Sequence, residues 1–400
     1  MSSGNSGSSV RSGSPRLSLV AICALGLEEI LEQELKDLGA QGIRRQRGAV
    51  LFEGGWQDCW RANWRLRTAN RVLVRLAAWP GPDGDSLAAG ARALLQNPDR
   101  GWGGLKVADL FHPDRTFAIH ATSTASQVRD TRWVGLKVKD GLVDGQRDHF
   151  GFRASVDRRD AETQLRVWLA KDRATLLLDT SGDPLDRRGY RKQTTTAPVR
   201  EQLAAACILA SGWDGKGPVV DPMCGSGTLL AEAASIALGR SPNALRKRWG
   251  FQRLPNFDAA GFDAVKQEAI PAPGAPNSGP GVQLYGVDRD PQAINAARTN
   301  LRRAHLADRS HLRKGDAYRF VPPEGPGLLA VNPAYGERLD EAKDQWRRLG
   351  DLLKQRYKGW RAVVLAGDES RGKYIGLKPN ARIPVRNGPI DARILVFDLY

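Results

Sequence analysis

The sequence is short of the residues from which metal centres and disulfide frameworks are built. Its 400 residues hold four cysteines, Cys23, Cys59, Cys207 and Cys224, with no C-x-x-C pair. Neither a zinc ribbon nor a disulfide scaffold is indicated, and buried structural thiols are expected. The five histidines show no H-x-H or H-x-x-x-H spacing, so no metal is expected. No apolar stretch reaches the roughly 18 residues needed to span a bilayer, which excludes a helical membrane anchor. Acidic residues are also scarce: Asp plus Glu 44 against Lys plus Arg 60 gives a net charge of +16. Such a surface attracts polyanions, and nucleic acid is the leading partner.

The N-terminus, "MSSGNSGSSVRSGSPR", is a Ser/Gly tail too polar to pack, expected to be disordered over residues 1–16. The "LSLVAICALGL" that follows has the look of a signal-peptide core, yet it passes straight into "EEILEQELKDLGA", where Ile30, Leu31, Leu35 and Leu38 recur at helical spacing. A strand followed by an amphipathic helix ending at Gly39 is the better account, and a soluble, cytoplasmic protein is expected.

With 400 residues the chain calls for two or three domains. A Pro/Gly break at Trp79 to Asp85 closes a first unit, 17–80, and "SGDPLDRRGYRKQTTTAP" reads as a basic linker, 183–198, before the last. The first unit runs strand, helix, strands, helix, and from Arg44 to Arg75 it carries eight arginines against Glu53 and Asp58. Arg44, Arg45 and Arg47, with Arg187, Arg188, Arg191 and Lys192 of the linker, are the candidate nucleic-acid contacts, and composition does not separate RNA from DNA. The middle unit, 81–182, is α+β, with strands in "TFAIHATS", "QLRVWLAKD" and "RATLLLDTS" and a helix in "RWVGLKVKDGLVDGQRDHF". The last unit, 199–400, alternates strand and helix and predicts a doubly wound parallel sheet. Asn387-Gly388 between two extended runs predicts a hairpin that closes this sheet with an antiparallel strand. The stretch Ala272 to Gly281 reads as a loop inside the unit.

The strongest motif is "VVDPMCGSGTLLAEAA", an acid at the end of a buried strand followed by glycines and a helix. A dinucleotide turn would want a third glycine, and a phosphate loop a Gly-Lys-Ser/Thr; Leu230 and Gly227-Thr228 fail both. What remains is the aspartate-led turn that holds the amino-acid end of S-adenosylmethionine. Asp221, Pro222, Met223, Cys224, Gly225, Ser226, Gly227 and Thr228 are its expected lining. Asp288 ends the next strand, where a carboxylate accepts ribose hydroxyls, and Asp316 ends the third, within reach of the adenine amine. The gap before Asp288 is far longer than the usual 20 or so residues, so "RWGFQRLPNFDAAGFDAVKQEAI" must be an insertion.

A fourth strand ends in "VNPAYGER". Pro333 fixes the backbone and biases Asn332 toward extended conformations, making a stiff pair of acceptors. If the Asn332 side-chain oxygen and the Pro333 carbonyl each accept one N–H of a nucleobase amine, its lone pair can face a sulfonium methyl, while Tyr335 stacks on the base. Asn332, Pro333 and Tyr335 are the candidate catalytic residues, Asn332 bordering the cofactor as well. No cysteine sits in a Pro-Cys pair of the kind base-carbon methylation needs.

Together, "DPMCGSGTLLAEAA", "RWGF", "NPAYGERL" and "DRRGYR" resemble the bacterial 23S rRNA guanine-N2-methyltransferases that pair a THUMP domain with a Rossmann-like class I methyltransferase domain. The likeness runs from about Ser18 to the C-terminus, with "LEEILEQELKDLGA" and "KVKDGLVD" as further matches. It implies a ferredoxin-like piece followed by THUMP, which begins near 48 or near 81, as the RNA-capturing half. It also accounts for the insertion around "RWGF". It implies S-adenosylmethionine as cofactor and 23S rRNA or a ribosome-assembly intermediate as partner. The family's tetrapeptide is Asn-Pro-Pro-Tyr, and Ala334 replaces its second proline. The best-known enterobacterial members are fused to a second methyltransferase, so with a chain ending at Tyr400 one modification is expected. Alternatives are a THUMP-type tRNA guanine-N2-methyltransferase, an adenine-N6 DNA methyltransferase, which uses the same tetrapeptide, and a non-catalytic RNA-binding assembly factor.

Overall fold

The computed structural model describes residues 16–153, 160–194, 199–269, 281–333, 339–367, 372–388 and 390–400, with side chains in the last helix from 343 onward. Ala334, Tyr335, the tail 1–15 and the loop residues 272–280 lie outside the described residues.

The N-terminal half follows the apolar periodicity closely. Strand β1 (Leu17–Cys23) leads into α1 (Glu28–Asp37), whose Leu31 and Leu35 are buried, and the helix stops at Gly39 with φ +74°, as expected. After it come β2 (Gln41–Gln46), β3 (Ala49–Gly54), α2 (Trp56–Arg65) and β4 (Ala69–Pro80). Then follow α3 (Gly84–Leu94), the small hairpin β5 (Gly101–Trp102) and β6 (Leu105–Lys106), α4 (Val107–Leu110) and β7 (Phe117–Thr124). Helix α5 (Thr131–Phe150) is capped by the Asp130 carboxylate and ended by Gly151 at φ +77°. β8 (Thr163–Ala170) and β9 (Arg173–Asp179) complete this half.

The two N-terminal units share one sheet across the expected division near residue 80. The Pro/Gly break ends a strand without ending a sheet: β4 is hydrogen-bonded to β1 on one side and β9 on the other, giving a single seven-stranded sheet β2-β3-β1-β4-β9-β8-β7. One edge of β4 pairs with β1 through Ala69 to Val74, and the opposite edge pairs with β9 through Leu73 to Pro80, so the 12-residue strand belongs to both units.

The C-terminal half is the expected doubly wound unit. It runs α6 (Glu201–Ser211), β10 (Val219–Asp221), α7 (Thr228–Ala237), α8 (Ala259–Gln267), β11 (Leu284–Asp288), α9 (Pro291–Arg303), β12 (Ser310–Lys314), β13 (Leu328–Val331), α10 (Leu339–Arg356), β14 (Arg361–Gly367), β15 (Ala381–Asn387) and β16 (Ile390–Asp398). The sheet order is β12-β11-β10-β13-β14-β16-β15. The first five strands are parallel, and β16 runs antiparallel between β14 and β15. The hairpin turns at Gly388 with φ +63°, the left-handed geometry for which Asn-Gly is suited.

The insertion before β11 is the cement between the halves. Its Trp249 and Phe251 stack with centroids 5.5 Å apart, and Phe262 on α8 meets Phe251 edge-on at 4.9 Å. Trp60 and Trp64 of α2 join this cluster, with Phe262 at 6.4 and 6.1 Å. At its rim Glu268 takes Arg61 at 2.7 Å and Arg65 at 3.0 Å. Gly250 lies where a Cβ would stand 2.8 Å from the Asp179 carbonyl, so the insertion touches the end of β9 backbone to backbone.

Candidate active site and cofactor cradle

The strand order reverses between β10 and β13, and in doubly wound sheets ligands bind outside the carboxyl ends of strands at such a switch point. The chain places its motif residues there. Asp221 ends β10, Asp288 ends β11, Asp316 follows β12, and Asn332 and Pro333 follow β13. Asn332 is half-buried and Pro333 buried.

The turn from Pro222 to Gly227 is held by backbone geometry and by Asp288. Gly225 and Gly227 take φ +49° and +80°, conformations that side chains disfavour, and a Cβ on Gly227 would stand 3.2 Å from that of Ala297. The Cys224 N–H donates to the Val287 carbonyl at 2.9 Å, and the Gly227 N–H to the Cys224 carbonyl at 2.8 Å. Asp288 accepts from the Gly225 N–H at 2.9 Å and the Asp290 N–H at 3.0 Å, each oxygen keeping a lone pair. Asp288 thus joins β11 to the glycine turn as well as marking the strand end.

Asp221 is 2% exposed and accepts from the Met223 N–H at 3.1 Å. Burial, with the Asp288 charge adding to it, pushes its carboxyl up to about 8. A buried acid short of donors is matched by a ligand that brings an ammonium or hydroxyl group. For Asp316, burial acts to raise the pKa, but the Tyr318 N–H at 3.0 Å and Arg289 at 3.1 Å outweigh it and hold the carboxyl below its usual range. Met223 is half-buried against the cluster that Tyr285 and Tyr318 also join. Burial pushes the Cys224 thiol well up, which makes it packing and not a nucleophile. All four cysteines are free and buried.

The linker is not the loose basic tether the sequence suggests. Arg188 is 1% exposed: it donates to the Leu185 carbonyl at 2.7 Å and to the Arg67 carbonyl, beside Glu232 at 3.7 Å. Arg191 donates to the Val199 carbonyl at 2.6 Å and Thr228 Oγ1 at 3.0 Å, and pairs with Glu201 at 3.0 Å. The expected RNA contacts at Arg188 and Arg191 are therefore corrected, because these guanidinium groups neutralise buried carboxylates behind the cofactor turn. Arg187 and Lys192 are exposed. Of the N-terminal trio, Arg44 and Arg47 are exposed, while Arg45 is ion-paired to Glu32 at 2.6 Å and Glu29 at 3.7 Å on α1.

Sequence reasoning missed Asn300. It is 1% exposed on α9 and uses its whole amide: Oδ1 accepts from the N–H groups of Lys192 (2.9 Å) and Gln193 (3.2 Å). Its Nδ2 donates to the carbonyls of Gln193 (2.9 Å) and Ser226 (3.0 Å). The linker is thereby sewn to the glycine turn. The available signal was an asparagine beside Leu301 on the apolar face of "PQAINAARTNLRRA", where a polar residue must find partners.

Comparison with known proteins agrees with this geometry. The family described as the RMKL-like methyltransferase domain matches residues 188–395, the RlmL ferredoxin-like domain 18–73 and the THUMP domain 105–179. The chain belongs to the RMKL-like methyltransferase family. It is 33% identical over 383 residues to the putative RNA methyltransferase slr0064 of Synechocystis sp., covering 95% of this chain and 96% of that one. It is 36% identical to ribosomal RNA large subunit methyltransferase K/L of Syntrophotalea carbinolica, covering 94% of this chain and 52% of that one. The chain thus spans about half the length of the K/L relatives. Among solved structures it is similar to SMU.472, a putative methyltransferase complexed with SAH, at 27% identity and TM-score 0.83, covering 97% of this chain and 99% of that one. A possible methylase from Clostridium difficile 630 gives 26% identity and TM-score 0.84, covering 96% and 98%.

The expected fold class is met: a Rossmann-like methyltransferase sheet with a closing hairpin, preceded by ferredoxin-like and THUMP modules. S-adenosylmethionine is the cofactor of this family. The two-glycine turn and the donor-poor carboxylates of Asp221 and Asp288 fit its ammonium and ribose hydroxyls. Among the described residues no helix is long and apolar enough to cross a membrane, and no group of three or more His, Cys, Asp or Glu could hold a metal.

Proposed function

We propose that the chain methylates the exocyclic N2 amine of a guanine in 23S rRNA. The observation that carries the reading is the position of Asn332 and Pro333 at the end of β13, in the strand next to β10 and its Asp221. The K/L relatives, named for the large-subunit ribosomal RNA, support the choice of RNA. When bound, S-adenosylmethionine supplies a methyl group on a sulfonium centre.

The chain's residues do the rest. Asp221 and the 222–228 turn hold the amino-acid end, Asp288 accepts the ribose hydroxyls, and Asp316 with Arg289 borders the adenine. The Asn332 side-chain oxygen and the Pro333 carbonyl accept the two N–H groups of the guanine amine, which turns the nitrogen lone pair outward. The new N–C bond forms as the S–C bond breaks, and the proton on the nitrogen passes to solvent. Tyr335, two residues on, is the proposed stacking surface. Arg44, Arg47, Arg187 and Lys192 supply exposed positive charge for the RNA. The expected cytoplasmic location accompanies this reading.

The same acceptor pair serves an adenine N6 amine, and a similar solved structure from Listeria monocytogenes is described as a predicted N6-adenine-specific DNA methylase. Nucleoside mass spectrometry of rRNA, tRNA and DNA from cells with and without the gene separates the two. Loss of one N2-methylguanosine from 23S rRNA is the expected result; loss of N6-methyladenine, or of a tRNA modification instead, would overturn it.

A further inference from the structure

The amino-acid end of S-adenosylmethionine is a zwitterion, and the acids of the cradle answer only half of it. Asp221 and Asp288 suit an ammonium and ribose hydroxyls. A carboxylate needs donors and positive charge, and the far end of the glycine turn has both. Helix α7 begins there. Its N-cap, Gly227, has no side chain to accept from the N–H groups of the first turn, which leaves them to an outside acceptor. The helix is 10 residues long, and its dipole adds to their pull on an anion.

A helix end alone attracts any anion weakly. What sets this one apart is Arg191, a cation drawn in from the linker, whose side chain is 14% exposed. Its Nη2 donates to Thr228 Oγ1 at 3.0 Å and to the Val199 carbonyl at 2.6 Å, and its Nε lies 3.0 Å from a Glu201 oxygen. Its Nη1 makes no hydrogen bond among the described residues, and unlike Nε it is not sealed from solvent. Thr228 Oγ1 accepts from Arg191, so its own proton is free for Ser226 Oγ at 3.4 Å or for a ligand. Burial pushes the Glu201 carboxyl up to about 7, so near neutral pH it offsets the guanidinium only in part. The other cations of this stretch, Lys192 and Arg200, are exposed, where water and salt screen them.

We propose that the carboxylate of S-adenosylmethionine lies against the first turn of α7, with Arg191 as its counter-charge and the Thr228 hydroxyl as a donor to it. This role for Arg191 rests on S-adenosylmethionine as the cofactor, and not on which base is methylated. The zwitterion then spans the turn, its ammonium toward Asp221 at the end of β10 and its carboxylate toward the start of α7. A guanidinium suits the task, because its donors match the geometry of a carboxylate and it stays charged when buried. The linker is thereby a wall of the cofactor site as well as a connection between the halves.

The test is calorimetry of the full chain with S-adenosylmethionine and with its decarboxylated form, which keeps the sulfonium and the ammonium and lacks only the carboxylate. The wild type should bind S-adenosylmethionine about 10- to 150-fold more tightly, the range of one hydrogen bond to a charged group. Arg191→Met should lose most of that preference by weakening S-adenosylmethionine alone, with the decarboxylated form little changed. Because this variant strands the buried Glu201, Arg191→Met combined with Glu201→Gln is its companion, expected to show the same selective loss. Thr228→Val should narrow the preference and Thr228→Ser should restore it. Equal affinity of the wild type for the two ligands would overturn the carboxylate site. A preference kept in full by the Arg191 variants, or an equal loss of both ligands in them, would overturn the role of Arg191, the second result making it a support of the fold. Every readout is binding, so a wild type that shows the preference yet methylates no RNA fails the proposed function and leaves the role of Arg191 standing.

Discussion

Replacing Asn300 tests whether the linker and the cofactor turn form one device. Asn300→Ala removes four hydrogen bonds of 2.9, 3.2, 2.9 and 3.0 Å. At about 0.5–1.5 kcal/mol net for each, the loss lies between about 2 and 6 kcal/mol. Lys192 and Gln193 are exposed, so water can rehydrate part of their backbone, which brings the expectation to about 2–4 kcal/mol. That is a large share of the roughly 5–15 kcal/mol by which a domain is held folded. Asn300→Asp separates the two roles. It keeps the acceptor for Lys192 and Gln193 but sets a carboxylate oxygen against the carbonyls of Gln193 and Ser226. It should therefore displace the Ser226 peptide and weaken S-adenosylmethionine binding by about tenfold or more, or about 1.4 kcal/mol. Urea unfolding and calorimetry read the two effects. A stability change of the alanine variant within about 0.5 kcal/mol, the range of ordinary surface substitutions, together with an unchanged dissociation constant in both variants, would refute the reasoning.

Three further expectations concern the cradle and the cement. Asp288→Ala takes away the proposed ribose acceptor and the Gly225 partner at once, and should raise the S-adenosylmethionine Kd more than about tenfold while leaving the fold intact; an unchanged Kd would show the ribose acid to be elsewhere. Asp221, raised from 3.8 to about 8, favours the folded state most when protonated. Its contribution is complete in acid and is lost as pH rises through about 8, so Asp221→Asn should flatten the decline of Tm between about pH 4 and 8. A decline as steep in the variant as in the wild type would rule Asp221 out as the source. Phe262→Ala opens the aromatic cluster between insertion and α2 and should cost about 3–5 kcal/mol in urea unfolding; a cost below about 1 kcal/mol would mean that the insertion does not join the halves.

What the sequence made legible is what is local or periodic. The acid-led turn, the acids at successive strand ends, Asn-Gly at the hairpin and Gly39 after α1 each follow from short-range chemistry, and the structure puts each where it was expected. Tertiary commitments were not legible. Arg45 and Arg44 are adjacent in sequence, yet strand alternation sends Arg45 to the acids of α1 and Arg44 to the opposite face. Arg188 and Arg191 looked like linker charge because their partners, Glu232 and Glu201, lie in helices that the sequence gives no reason to place beside them. The insertion was visible only as an awkward gap, since its function is contact with Trp60 and Trp64 nearly 200 residues upstream.

The central claim, that Asn332 and Pro333 present a guanine amine to the cofactor, is tested most directly by single-turnover methylation of unmodified 23S rRNA by the wild type and Asn332→Ala. Nucleosides are read by mass spectrometry, and S-adenosylmethionine binding is measured alongside. The account predicts N2-methylguanosine from the wild type and a rate lower by orders of magnitude in the variant, with cofactor binding retained. Near-normal turnover by Asn332→Ala, or a methyl group found on another atom, would contradict it.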